Sequence, residues 1–137
     1  MSAATVTPFP RSAPPTILIV EDEVLTRSFI SDELRGRGFK VIEASSADDA
    51  IAVLDTLRVD LMFVDISLPG SRNGLDVACL VQARGLPTRI ILTSGKDRSA
   101  DSPGSAALGP FIRKPYLVSQ VVELVTRCLN WPDVLGS

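Results

Sequence analysis

The chain has 137 residues, 45% hydrophobic and 22% charged, enough for one core and too few for two ordinary domains. Its formal net charge of -2, with no local Lys/Arg cluster, argues against nucleic acid or an anionic membrane as a direct partner. Cys79 and Cys128 stand alone, without a CxxC pair or any histidine, which excludes a zinc site and a Cys-His nucleophile. Both thiols are expected to be buried in a reducing compartment, and the lack of a leader or a membrane-length apolar run makes a cytoplasmic location the expectation.

Residues 1–15 carry Pro8, Pro10, Pro14 and Pro15 among small residues, a composition that cannot build a core and is read as a disordered tail. A folded unit is expected over 16–130. It begins with a strand at Ile17 to Val20 that runs straight into Glu21, Asp22 and Glu23. Leu25, Phe29, Ile30 and Leu34 then mark a helical stripe, with Gly36 and Gly38 as stop signals. Lys40 to Ala44 forms the second strand. Ser45 and Ser46, followed by Asp48 and Asp49, offer a cap and an acidic first turn to a helix striped by Ala50, Ile51, Val53, Leu54 and Leu57.

Leu61 to Val64 is apolar without alternation, as in a strand buried on both faces, and it ends on Asp65. Leu75, Ala78, Cys79 and Val81 predict a third helix, and Ile90 to Thr93 a fourth strand that leads into Ser94 and Gly95. The stretch GKDRSADSPGSAALGP, with Ser-Pro-Gly inside and Gly-Pro at its end, predicts a fourth helix that is short, displaced or absent. Phe111 to Arg113 is the fifth strand, followed by Lys114-Pro115. Val118, Val121, Val122, Leu124, Val125 and Leu129 stripe a last helix, and 131–137 are read as a short tail with no output domain after it. Trp131 is expected to pack back on that helix.

Repeated strand–helix units imply right-handed crossovers and a parallel sheet with helices on both faces. In such sheets ligands bind at the carboxyl edge of the strands. Four chemistries meet there: Glu21 and Asp22 after the first strand, Asp65 after the third, Ser94 or Thr93 at the fourth, and Lys114 after the fifth. Crowded carboxylates call for a cation, and Mg²⁺ takes hard oxygen ligands beside phosphate. A lysine and a hydroxyl beside it would stabilise a transferring phosphoryl group, with Asp65 as the attacking carboxylate. Each feature alone has a plain reading: an acidic first turn favoured by ~0.3–1 kcal/mol per charge, a capping serine, a solvated lysine. Their coincidence at one edge favours a site.

Glu21-Asp22, Asp65 with Leu68-Pro69-Gly70 and Asn73-Gly74-Leu75, the Ser94-Gly95 pair and Lys114-Pro115 together resemble the receiver (CheY-like) domain of two-component response regulators, of the stand-alone single-domain type. The resemblance implies an α/β flavodoxin-like (βα)5 doubly wound sheet in the order 2-1-3-4-5. It implies that Asp65 takes a phosphoryl group from a phosphohistidine on a sensor histidine kinase or histidine phosphotransfer protein. It also implies Mg²⁺ held by Asp22, Asp65 and the Ser67 carbonyl, with Glu21 acting through water. Lys114 would pair with phosphoryl oxygens, Lys114-Pro115 would be a cis peptide, and Ser94, with Thr93 as rival, and Phe111 would switch state to signal to a further protein partner. The loop at Gly70 to Asn73 is one residue longer than the family pattern. An adaptor that is never phosphorylated would lack one of the charged residues, all present here. A haloacid-dehalogenase-type phosphatase would need an aspartate where Ser67 stands, and no Walker-type loop supports a nucleotide hydrolase.

Overall fold

The computed structural model describes residues 13–95 and 105–131. Most of the N-terminal tail, residues 96–104 and most of the C-terminal tail therefore lie outside the described residues. Five strands, β1 Thr16–Val20, β2 Lys40–Ala44, β3 Leu61–Asp65, β4 Arg89–Ser94 and β5 Phe111–Arg113, alternate with helices α1 Val24–Gly36, α2 Ala47–Thr56, α3 Gly74–Ala83, α4 Ser105–Leu108 and α5 Val118–Leu129. All pairings are parallel and the strand order is β2-β1-β3-β4-β5. The doubly wound sheet read from the sequence is thus the observed fold. Among the described residues the fourth helix is a single turn, as its Pro- and Gly-broken sequence predicts.

The sheet separates two apolar layers. On one side Leu18, Val20, Met62, Val64, Ile90 and Leu92 pack against Ala50, Ile51 and Leu54 of α2 and Val77, Ala78 and Val81 of α3. On the other, Ile17, Ile19, Leu61, Phe63 and Ile91 meet Ile30 and Leu34 of α1 and Val121, Val122 and Val125 of α5. Every residue of β3 is buried, because a central parallel strand is covered on both faces.

Local chemistry sets the element ends. Ser46 caps α2 by accepting from the Asp49 N–H at 3.1 Å. Asn73 caps α3, its Oδ1 accepting from the Asp76 N–H at 3.1 Å while Asp76 Oδ2 accepts from the Asn73 N–H at 2.7 Å. Past α1, Gly38 adopts φ 96°, a left-handed turn that suits glycine.

Two sequence expectations are corrected. The α1 stripe is rotated: Ile30, Ser31 and Leu34 are buried, whereas Leu25 and Phe29 are 65% and 61% exposed. One residue turns a helix by about 100°, so including Leu25 and Phe29 set the stripe off its true axis. Cys79 is exposed and Cys128 only partly buried. With Val77, Ala78 and Val81 facing the core, position 79 falls on the outer face of α3. Trp131 does pack back on the layer that α5 builds with Val121, Val122 and Val125, its ring tilted against Phe39 with centroids 6.4 Å apart.

Candidate functional site

The strand order makes β1 and β4 the two neighbours of β3, so the residues leaving all three strands converge at one edge. Glu21, Asp22 and Asp65 each offer a carboxylate oxygen there, and these atoms lie within 4.8 Å of one another. Glu21 and Asp65 are buried and Asp22 is exposed.

The Lys114 ammonium spans the two buried carboxylates, with Nζ 2.8 Å from Glu21 Oε1 and 2.8 Å from Asp65 Oδ2. The other oxygen of each acid accepts a backbone donor: Glu21 Oε2 from the Glu23 N–H at 3.0 Å, and Asp65 Oδ1 from the Ser67 N–H at 2.9 Å. Burial pushes the Glu21 pKa up, outweighing the opposing pull of its bonds to Lys114 and to the Glu23 amide. For Lys114 burial acts to lower the pKa, but hydrogen bonds to Asp65 and Glu21, with their charges, carry it above the ordinary lysine range. Lys114 is therefore a firm cation. The Lys114–Pro115 peptide bond is cis.

Ser94 and Thr93 part company in space. Ser94 Oγ lies 3.0 Å from Ser67 Oγ, on the Asp65 loop. Thr93 stands in register with Asp65 and shares the parity of Ile91, which faces the α1/α5 layer; among the described residues its buried hydroxyl has no hydrogen-bond partner. Phe111 is partly buried against the α2/α3 layer, with the Arg113 guanidinium 5.4 Å from its ring centroid. A cleft of about 220 Å³ lined by Asp65, Ser67, Gly95 and Lys114 opens beside the acids.

Three contributors escape a reading of sequence spacing. Gly74 is one: a Cβ there would stand 2.1 Å from the Asp65 carbonyl oxygen, so only glycine lets α3 start so close to β3. In the sequence it enters only as part of the Asn73-Gly74-Leu75 pattern, with nothing to indicate this close approach. Arg27 is the second, with Nη1 donating to the Glu21 carbonyl at 2.8 Å and Nε to Glu43 Oε1 at 3.1 Å. An arginine on an amphipathic helix carries no signal of such a role. Tyr116 is the third, edge-on to Phe63 at 6.0 Å, the pKa of its phenol pushed up to about 12 by burial against the lowering charge of Lys114.

Oxygen donors from three neighbouring carboxylates, two of them bridged by the Lys114 ammonium, form a donor set that fits a hard divalent cation such as Mg²⁺. Among the described residues no other group of His, Cys, Asp or Glu could hold a metal, and no helix is long and apolar enough to cross a membrane.

A family model described as the response regulator receiver domain matches residues 17–126. The aerobic respiration control protein ArcA of Escherichia coli K12 is 31% identical over 122 residues, covering 85% of this chain and 50% of ArcA. The transcriptional regulatory protein PdtaR of Mycobacterium tuberculosis is 25% identical over 116 residues, covering 83% of this chain and 56% of PdtaR. The chain thus spans about half the length of these curated relatives. Among solved structures, the response regulator TrrA of Thermotoga maritima, in complex with Mg²⁺-BeF, superposes with a TM-score of 0.73 at 25% identity, covering 82% of this chain and 97% of TrrA. A CheY-like receiver domain protein from Methanospirillum hungatei reaches 0.78 at 22% identity, over 86% and 95% of the two chains.

Proposed function

Because this chain belongs to the response regulator receiver family, we propose that it is the phosphoacceptor of a two-component phosphorelay, with Asp65 as the acceptor. The observation that carries this reading is the Asp65 carboxylate itself, buried beside two further acids and gripped by Lys114 on one oxygen and the Ser67 amide on the other. A surface carboxylate with no role would be solvated instead.

The donor is a phosphohistidine on a sensor kinase or histidine phosphotransfer protein. An Asp65 oxygen forms the new bond to phosphorus as the phosphorus–nitrogen bond breaks, and the imidazole departs with that electron pair. Asp22, Asp65 and the Ser67 carbonyl would hold Mg²⁺, with Glu21 reaching it through water. When bound, the ion supplies charge neutralisation to the transferring group. Lys114, kept cationic by its acidic neighbours, neutralises charge on the phosphoryl oxygens. The phosphoryl group, carrying about two negative charges where the Asp65 carboxylate carried one, draws the Ser94 hydroxyl away from Ser67, and Phe111 follows into the space vacated. Thr93 is assigned no part, since its side chain points into the α1/α5 layer. The module signals to a further protein in the cytoplasm without conventional turnover, and its net charge of -2 gives this domain no general affinity for nucleic acid.

Intact-mass spectrometry after incubation with Mg²⁺ and acetyl phosphate tests the reading. A single phosphoryl adduct is expected in the wild type and none in Asp65→Asn or after chelation. An adduct that survives Asp65→Asn would move the acceptor elsewhere, and none in the wild type under rapid sampling would favour a phosphorylation-independent adaptor.

A further inference from the structure

Of the three acids, two are held from both sides: Glu21 by Lys114 and the Glu23 amide, Asp65 by Lys114 and the Ser67 amide. Asp22 differs. Among the described residues no hydrogen bond or ion pair reaches its carboxylate, yet it stands within 4.8 Å of the other two. What remains to aim it is the backbone.

The peptide plane that joins Glu21 to Asp22 carries the Glu21 carbonyl, and that oxygen accepts from Arg27 Nη1 at 2.8 Å. The same guanidinium is anchored through Nε to Glu43 Oε1 on β2, at 3.1 Å. Glu43 is anchored in turn, its other oxygen 3.1 Å from Arg35 Nη1, while Arg35 Nη2 donates to the Val41 carbonyl at 3.1 Å. The chain of contacts thus runs from β2 through α1 to the peptide bond that leads into Asp22, while the peptide that leaves it is held by the Glu23 N–H on Glu21 Oε2. The Arg27 and Glu43 side chains are 17% and 29% exposed, so water competes with this link only in part.

We infer that Arg27 is a positioning residue for the metal site, acting on Asp22 through the Glu21–Asp22 peptide. The inference rests on the Mg²⁺ reading above and adds to it a residue that touches no ligand. Its sign runs against simple electrostatics. A guanidinium close to the acids repels a divalent cation, so deleting its charge alone should tighten Mg²⁺ binding. Deleting a brace that aims a ligand should weaken binding, by about tenfold as for other supports of metal ligands.

The test is calorimetric titration of MgCl₂ into the full chain at fixed ionic strength, comparing wild type, Arg27→Met and Arg27→Lys, with circular dichroism as a check of folding. Arg27→Met is expected to bind Mg²⁺ about tenfold more weakly. Arg27→Lys, which keeps the charge and loses the two-armed reach, is expected to weaken binding in the same direction by a smaller factor. Unchanged or tighter binding in Arg27→Met overturns the inference while leaving the Mg²⁺ reading intact. If Arg27→Met does not fold, Arg27→Lys decides, since wild-type affinity there overturns positioning. A wild type that binds no Mg²⁺ fails the metal reading itself, and the inference with it.

Discussion

The two layers that flank the sheet are built to different rules. The α2/α3 side keeps its buried hydroxyls partnered: Thr88 donates to the Val59 carbonyl at 2.8 Å, and Ser94, on the parity of Ile90 and Leu92, lies 3.0 Å from Ser67 Oγ. The α1/α5 side holds the three buried hydroxyls without a partner found among the described residues: Ser31 on α1, Thr93 on β4 and Tyr116 against Phe63. Extending strand alternation, Glu21 shares the parity of Ile17 and Ile19, and Asp65 that of Leu61 and Phe63, so both acids lean to the same side. Buried polar groups without partners cost stability. One layer is a scaffold, and the other carries imperfect polar burial next to the chemistry.

That contrast can be broken at the junction where the scaffold meets the site. Gly74→Ala drives a methyl against the Asp65 carbonyl, and a loss of about 3 kcal/mol in urea unfolding is expected. A loss under about 1 kcal/mol would mean that α3 shifts freely and braces nothing. The layers themselves are compared by two threonines. Thr88→Val removes half of a satisfied pair and should destabilise by about 1 kcal/mol, whereas Thr93→Val removes an unpartnered hydroxyl and should stabilise by a similar amount. Equal signs would erase the distinction between the layers.

A smaller effect concerns pH. Because the folded state raises the Glu21 pKa above its ordinary value of 4.5, the fold binds more protons at that residue than the unfolded chain. Stability from this residue is present below the ordinary pKa and lost as pH rises through the raised one. In Mg²⁺-free buffer the stability of wild type relative to Glu21→Gln should therefore fall over that window, and a rise would reverse the assignment. The smallest effect belongs to the outer face of α1, where Phe29→Ser should change stability by no more than about 0.5 kcal/mol. A core-sized loss there would restore the original stripe.

Strand positions were readable because five short apolar runs alternate with segments of helical period, and β5 runs from Phe111 to Arg113 as the sequence indicates. The clustering at the candidate site was readable because strand ends share an edge, so charge type and strand order suffice to bring Glu21, Asp22, Asp65, Ser94 and Lys114 together. Packing was less legible. Leu25 and Phe29 are as apolar as Ile30 and Leu34, and only the angle at which α1 meets the sheet decides which pair is covered. Contacts made through the backbone left no trace at all: Arg27 on the Glu21 carbonyl and Gly74 under the Asp65 carbonyl engage atoms that every residue possesses.

The Lys114 bridge spans 93 residues of chain to Glu21 and 49 to Asp65. A growing polypeptide therefore exposes both acids long before their counter-ion is made, and such loops close only as the last strand docks. The bridge therefore closes only when β5 docks: a chain broken off before residue 114, or with β5 detached, is left with two neighbouring carboxylates that repel each other and lack the lysine that joins them.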